Sequence, residues 1–146
     1  MIGGGIITLL LIGYIFCLPR QLFHVPYSTV VTDRNNELLG ARIALDGQWR
    51  FPPRTTTPAK IQACFIEFED NHFFHHWGVN PVSIGRAAYQ NLKARRVISG
   101  GSTITMQTIR LARNNPRTFS EKFIEMIWAT RLEFRYSKEK ILFLLT

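Results

Sequence analysis

The chain has 146 residues, which is enough for one small domain and a short appendage. Its residues are 46% hydrophobic and 19% charged, a balance that excludes an intrinsically disordered protein. The net charge of +8 indicates an anionic partner, and nucleic acid, membrane lipid and a phosphorylated substrate are the classes to consider.

The N-terminal segment carries no charged residue from Ile2 to Leu18. Its length is at the lower limit for a membrane-spanning helix, about 17–25 residues. A cleaved signal peptide would need a basic start and a small-residue cleavage site, and neither is present. We therefore predict an uncleaved transmembrane anchor over residues 1–19, with a buried core helix as the less favoured alternative.

Residues 20–55 are predicted to be extended and to form a β-hairpin linker. Residues 27–32 are rich in strand-forming side chains, residues 33–36 form a turn cluster, and residues 38–45 supply a returning strand.

Residues 56–146 are predicted to form an all-α domain of four helices, with a fifth beginning near the end. The start signals are Thr57-Pro58, Asn80-Pro81, Gly100-Gly101-Ser102, Thr118 with Glu121 completing a capping box, and Ser137. The first helix has its apolar positions at Ile61, Cys64, Phe65 and Phe68. In the fourth helix we predict a buried stripe formed by Phe119, Phe123, Met126, Ile127 and Thr130.

Cys17 lies in the predicted anchor and Cys64 in the first helix, so we expect no disulfide between them. Metal binding is the less favoured interpretation of His72, His75 and His76, and we predict no metal site.

The charges are distributed unevenly along the predicted domain. The segment between Asp70 and Glu121 contains no acidic residue. It contains the cations Arg86, Lys93, Arg95, Arg96, Arg110, Arg113 and Arg117. A glycine-rich stretch, residues 99–103, precedes a helix near its middle, and such a stretch can bind a phosphate through its backbone N–H groups. A simple helix cap with a solvated basic face would give the same pattern, so both interpretations stay open.

Glu69 and Asp70 lie near the C-terminal end of the first predicted helix. The helix dipole disfavours a charged carboxylate there, more strongly if nearby aromatic rings exclude water. Such a carboxylate suits a general acid or base, whereas a solvated helix end is the alternative.

Three motifs carry a resemblance. Residues 69–78, EDNHFFHHWG, fit E-D-x-x-F-x-x-H-x-G, and residues 100–107, GGSTITMQ, fit G-G-S-T-[IL]-T-x-Q. Residues 117–125, RTFSEKFIE, resemble R-[ST]-x-x-R-K-x-x-E. In this order the motifs resemble the peptidoglycan glycosyltransferase domain (glycosyltransferase family 51) of class A penicillin-binding proteins, most closely the 1C class.

The resemblance implies the N-terminal part of a lysozyme-like glycosyltransferase lobe, incomplete and without a transpeptidase domain. It implies polymerisation of lipid II into β-1,4 glycan strands by inverting displacement of undecaprenyl pyrophosphate. A truncated, non-catalytic protein that binds lipid II or a cell-wall partner is the alternative, and a lytic glycosidase is less favoured.

The family's functional positions fall on residues of this chain. The resemblance implies that Glu69 is the general base and that Glu125 is the second catalytic glutamate. The implied substrate and pyrophosphate contacts are Ser102, Thr103, Gln107, Arg110, Arg117 and Lys122. The implied structural positions of the motifs are Asp70, Phe73, His76, Gly78, Gly100 and Gly101.

The resemblance requires no cofactor, although a divalent cation could accompany the pyrophosphate. It implies lipid II, the growing glycan strand and the membrane as partners, with other cell-wall synthesis proteins as further candidates and no nucleic acid. The implied location is the bacterial inner membrane, with a single pass and the domain on the periplasmic side.

The chain departs from the family pattern at several positions. Glu121 stands where Arg is usual, and the fourth family motif, which begins at Lys138, has Phe143 for Glu and Leu145 for Tyr. Ser137 and Lys140 match S-x-x-K, but the S-D-N and K-T-G partners are absent from the sequence, so we predict no β-lactam acylation.

Overall fold

The computed structural model describes residues 2–23, 26–51 and 57–145. The helices are α1 (Ile2–Phe16), α2 (Ala59–Glu69), α3 (Pro81–Ala94), α4 (Ile104–Arg113), α5 (Phe119–Arg135) and α6 (Lys138–Leu145), with a 3-10 turn at Phe73–His75. The strands are β1 (Thr29–Thr32) and β2 (Leu38–Arg42). The chain divides into a small unit, Phe23–Thr56, and a larger unit that contains all the helices. The mostly helical fold with one hairpin is confirmed.

The N-terminal helix is shorter than predicted. α1 has 15 residues and ends at Phe16, because Pro19 disfavours the helical conformation of the residue before it. Among the residues described, no helix is both long and apolar enough to cross a membrane. The predicted spanning helix over residues 1–19 is thus observed as a shorter apolar helix.

The small unit is built on the predicted hairpin. Strands β1 and β2 pair antiparallel, with Thr29 opposite Arg42. Asp33 fixes the turn, because its Oδ1 accepts hydrogen bonds from the amides of Asn35 at 2.7 Å and Glu37 at 2.8 Å. The second strand ends at Arg42 rather than residue 45. Residues 24–25 and 52–55 of the predicted linker lie outside the described residues.

Several helices of the large unit begin where the sequence predicts. Asn80 accepts a hydrogen bond from the Ser83 amide at the start of α3, and Thr118 accepts one from the Glu121 amide at the start of α5. The third predicted helix differs, since Thr103 and not the glycine-rich stretch caps α4.

Helix α4 is at the centre of the core. Ile104, Met106 and Ile109 are fully buried in it, together with the side chains of Thr105 and Thr108. The core is completed by residues from α5, α6 and the 3-10 turn: Ala129, Leu132, Ile141, Leu142 and Phe73.

The predicted buried stripe of the fourth helix is wrong. Phe119, Phe123 and Ile127 are 92%, 66% and 52% exposed, and α5 buries Glu125, Ala129 and Leu132 instead. The small Ala129 lets another segment approach α5 closely, which aromatic side chains would prevent. The apolar side of α2 is also open to solvent: Ile61 and Phe68 are exposed, as is Cys64.

Candidate active site

The segment after α2 is tied to the start of α4 by Asp70. This carboxylate is buried, and its Oδ2 accepts hydrogen bonds from the Ile104 amide at 3.1 Å and from His76 Nε2 at 2.8 Å. Because a helix N-terminus has unpaired N–H groups, a carboxylate there stabilises the helix. Asp70 and His76 thus hold this segment in place against α4. Phe73, which lies between them in the sequence, is fully buried.

Gly78 allows the closest backbone contact around this segment. Its φ is +82°, and a Cβ at this position would lie 2.6 Å from the carbonyl oxygen of Ala129. Thr103 Oγ1 donates a hydrogen bond to the Gly78 carbonyl at 2.5 Å and accepts one from the Met106 amide. A side chain at position 78 would therefore push α5 away from the α4 N-terminus.

The two glycines of the third start signal are not equivalent. A Cβ on Gly101 would lie 2.8 Å from the Cα of Ile84, whereas a Cβ on Gly100 would meet nothing within 4 Å. Close packing of the loop on α3 thus requires glycine at position 101 only.

Lys138 supports the same segment from α6. Its Nζ donates hydrogen bonds to the His76 carbonyl at 2.7 Å and to Glu133 Oε1 at 2.8 Å, and it lies 4.4 Å from the centre of the Phe73 ring. In the sequence, Lys138 is marked only as the first residue of the fourth family motif.

Glu69 is the last residue of α2 and its side chain is exposed. Gln107 Nε2 donates a hydrogen bond to Glu69 Oε2 at 2.6 Å. Aromatic rings do not exclude water from it, because Phe73 turns into the core and Phe74 and Trp77 are themselves exposed. Glu69 is therefore held by an amide and accessible to a ligand.

A cleft of about 140 Å³ lies beside Glu69. Its walls include Glu69, Asp70, Ser102 and Thr103, which the three motifs mark as functional or structural positions. They also include Ser83 and Arg86 from α3, which lie outside the motifs. In the sequence, Arg86 is marked only by its place in the acid-free, cationic segment. No local motif includes it, and it reaches the cleft through the fold of the chain.

A cluster of polar side chains around Lys122 adjoins the cleft at Ser102. Lys122 Nζ donates a hydrogen bond to Ser102 Oγ and lies 3.6 Å from Glu125 Oε2. Burial lowers the pKa of the Lys122 ammonium below its usual value, and the Glu125 carboxylate opposes that shift. The nearby cations Arg110 and Arg117 lower the pKa of Lys122 further. The cluster thus concentrates positive charge that has lost part of its hydration.

Glu125 is buried, at 6% exposure. Within the described part of the chain, its Oε2 atom has no hydrogen-bond donor, although the charge of Lys122 is nearby. A buried acceptor without a donor is costly, and the positive charge of Lys122, 3.6 Å away, compensates the charge of this carboxylate.

Glu121, which stands where the family pattern has Arg, makes an ion pair with Arg113. The Nε and Nη2 atoms of Arg113 each donate to a Glu121 oxygen at 3.0 Å, and the guanidinium lies 4.4 Å from the centre of the Trp128 ring. The predicted capping box is half formed: Thr118 caps the helix, while the Glu121 carboxylate binds Arg113.

The structure therefore brings the predicted residues together in two groups. Glu69 lies with Gln107, and Lys122 lies with Ser102 and Glu125. Among the described side chains, no group of three His, Cys, Asp or Glu residues is placed to hold a metal ion.

Comparison with known proteins identifies the family of this chain. The model of the Transglycosylase family matches residues 39–144. Penicillin-binding protein 1C of Escherichia coli (strain K12) is 41% identical over 126 residues, which cover 85% of this chain and 16% of that protein. Penicillin-binding proteins 1F and 1A/1B of Bacillus subtilis (strain 168) are 33% and 30% identical and cover 94% and 97% of this chain.

The chain spans only 16%, 19% and 15% of the length of these three relatives. The family model nevertheless covers most of the chain and includes all the residues of both clusters. The chain therefore belongs to the transglycosylase family, and its resemblance to the glycosyltransferase domain of class A penicillin-binding proteins is confirmed.

Proposed function

We propose that this chain is a peptidoglycan glycosyltransferase with a lysozyme-like lobe, which polymerises lipid II into β-1,4-linked glycan strands. The observation that carries the proposal is the cleft that has Glu69 in one wall and Ser102, the partner of Lys122, in another. A proton acceptor and a cation cluster on one cleft are what the reaction of a hydroxyl with a sugar pyrophosphate needs.

Glu69 is the proposed general base. It takes the proton from the 4-hydroxyl of the acceptor sugar while that oxygen forms a bond to C1 of the donor sugar. The hydrogen bond from Gln107 holds one carboxylate oxygen and leaves the other for the proton. Because Glu69 is exposed on the cleft, the acceptor can reach it without a rearrangement of the helix.

Lys122 is the centre of the proposed pyrophosphate site, with Ser102, Arg110 and Arg117 around it. The bond between C1 and the phosphate oxygen breaks as the new bond forms, and undecaprenyl pyrophosphate leaves with the electron pair. The cations stabilise the negative charge that develops on the leaving oxygen. An anion bound here also compensates the burial that lowers the pKa of Lys122.

Arg86 is a further cation of the proposed pyrophosphate site, because it lines the same cleft as Glu69 and Ser102. Glu125 is proposed as the second catalytic glutamate, which assists at the donor by holding Lys122 of the proposed pyrophosphate site.

The proposed location is the bacterial inner membrane, with the domain on the periplasmic side. The apolar α1 and the net charge of +8 support contact with an anionic membrane that contains the lipid substrate. The proposed partners are lipid II, the growing glycan strand and other cell-wall synthesis proteins.

The products formed from labelled lipid II test this proposal. The detergent-solubilised chain is incubated with lipid II, and the reaction is analysed for glycan polymer and free undecaprenyl pyrophosphate. Both products are expected together, in amounts that rise with enzyme concentration. Binding of lipid II without polymer would favour the non-catalytic alternative. Soluble sugars released from finished peptidoglycan would favour a lytic glycosidase.

A further inference from the structure

Asn91 on α3 makes three hydrogen bonds with the loop that joins α3 to α4. Its Oδ1 accepts from the amides of Ile98 at 2.8 Å and Ser99 at 2.9 Å, and its Nδ2 donates to the Ser99 carbonyl at 2.9 Å. This set needs a carbonyl oxygen and an amino group on one side chain, which only asparagine and glutamine provide. Asn91 thus binds the loop through its backbone.

Apolar packing does not hold the start of this loop. Val97 and Ile98 are 88% and 54% exposed, and a Cβ on Gly100 would meet nothing within 4 Å. The backbone groups of an exposed loop can exchange their hydrogen bonds for water, so the loop opens readily unless side chains hold it. The three hydrogen bonds of Asn91 therefore fix residues 98 and 99 against α3.

The loop is attached again immediately after this point. Gly101 packs on the backbone of Ile84, and Thr103 Oγ1 donates to the Gly78 carbonyl at 2.5 Å. Ser102 lies between these contacts, lines the cleft and accepts a hydrogen bond from Lys122 Nζ. The position of the Ser102 hydroxyl is thus set by the attachments of the loop, and Asn91 supplies the first of them.

We infer that Asn91 is a positioning residue of the proposed pyrophosphate site, which acts through Ser102 on Lys122. The inference rests on the proposed function, because it gives Asn91 a part in holding the leaving group. Asn91 lies outside the three motifs and is not among the described residues that line the cleft. It acts only through the backbone of residues 98 and 99.

The consequence of losing Asn91 follows from this geometry. Residues 98–102 could then move away from α3, and Ser102 would no longer hold the Lys122 ammonium toward the leaving phosphate oxygen. A misplacement of about 1 Å at such a group can reduce a rate by about 100-fold.

Two readouts on the detergent-solubilised full chain test this role: the turnover number for lipid II, and the affinity for inorganic pyrophosphate measured by titration calorimetry. Asn91→Leu removes all three hydrogen bonds and should reduce the turnover number and the affinity by about 10-fold or more. Gln90→Leu, which replaces the neighbouring half-buried amide on α3, is the matched control and should keep both at the wild-type values. Equal values in Asn91→Leu and Gln90→Leu would overturn the inference.

Asn91→Asp separates the two kinds of hydrogen bond. Its carboxylate can accept from both amides but cannot donate to the Ser99 carbonyl, so it should lose less of each readout than Asn91→Leu. Gln90→Glu, which adds the same charge one residue away, is its control. Urea denaturation shows whether each variant is folded. If Asn91→Leu is unfolded, the comparison of Asn91→Asp with Gln90→Glu decides, and equal values in these two would overturn the inference.

A double-variant cycle shows whether the effect passes through Ser102. In the Ser102→Ala background, Asn91→Leu should change the pyrophosphate affinity less than about twofold, because the hydroxyl that Asn91 positions is absent. The full loss in both backgrounds would mean that Asn91 only stabilises the loop, and it would overturn the inference.

The two readouts separate this inference from the proposed function. Wild type that polymerises lipid II, with Asn91→Leu equal to it in rate and affinity, would overturn the inference and leave the proposed function in place. Wild type that makes no polymer but binds pyrophosphate, with an affinity that Asn91→Leu lowers through Ser102, would do the reverse. Wild type that binds no pyrophosphate would also overturn the inference, since there would be no site for Asn91 to position.

Discussion

Gln107 and Glu69 are joined by a hydrogen bond of 2.6 Å from the amide Nε2 to the carboxylate Oε2. This bond connects the first turns of α4 to the last residue of α2. It explains how a carboxylate at an exposed helix end can be held in one direction, as a general base must be.

Gln107→Ala should therefore reduce the turnover number for lipid II polymerisation while changing KM little. Loss of one hydrogen bond to a charged group costs about 1.5–3 kcal/mol, which corresponds to a reduction of about 10- to 160-fold. Initial rates of polymer formation across lipid II concentrations measure this effect. Gln107→Glu, which cannot donate to Glu69 when ionised, should be at least as slow. A normal turnover number in both variants would mean that the bond does not orient the base.

Gly78→Ala should lower the free energy of unfolding by about 2–4 kcal/mol, because a positive φ and a contact with the α5 backbone both oppose a Cβ. Gly100→Ala is the matched control and should be close to neutral, since its Cβ meets nothing within 4 Å. Urea denaturation in detergent measures both. Equal stability of the two variants would contradict the close approach of Gly78 to Ala129.

Arg113 and Glu121 should be coupled in stability by about 1 kcal/mol, because their paired charges are only partly exposed. Urea denaturation of the wild type, Arg113→Gln, Glu121→Gln and the double variant measures the coupling. Glu121→Arg, which introduces the residue usual in the family, should be less stable than Glu121→Gln since it places two guanidinium groups together. Additive effects in the cycle would show that the pair contributes nothing.

Lys122 should make the protein more stable as the pH rises into the alkaline range. Its pKa is lowered in the folded protein, so the unfolded chain holds this proton at pH values where the folded chain has released it. Stability rises with pH wherever the unfolded state binds more protons, here between the lowered pKa and the usual value of 10.5.

The control for this effect is Lys122→Met, which should be less dependent on pH over the same interval because it has no proton to release. Thermal unfolding at a series of alkaline pH values provides the comparison with wild type. If both proteins show the same pH dependence, Lys122 is not the group responsible.

The parts of the fold that the sequence predicted correctly depend on neighbouring residues. Asn80 and Thr118 cap their helices because a side-chain oxygen reaches an amide three residues away, and Asp33 fixes its turn in the same local way. The three motifs likewise mark Glu69 and Lys122 as candidate site residues, and the structure shows that Gln107 and Ser102 are their hydrogen-bond partners.

The parts that the sequence did not predict depend on tertiary packing. The spacing of the apolar residues in α5 predicts an apolar stripe. The side of α5 that is buried is decided instead by the close contact of Ala129 with Gly78. Arg86 reaches the cleft because Gly101 packs against α3, and no local pattern records that contact.

The most direct test of the central claim is the rate of glycan polymerisation by Glu69→Gln, measured together with its affinity for lipid II. Glu139→Gln, an exposed glutamate on α6, is the matched control and should behave as wild type. Glu69→Gln should bind lipid II normally and lose about 10²- to 10⁴-fold in rate, the usual contribution of a general base. Polymerisation by Glu69→Gln at the wild-type rate would contradict it.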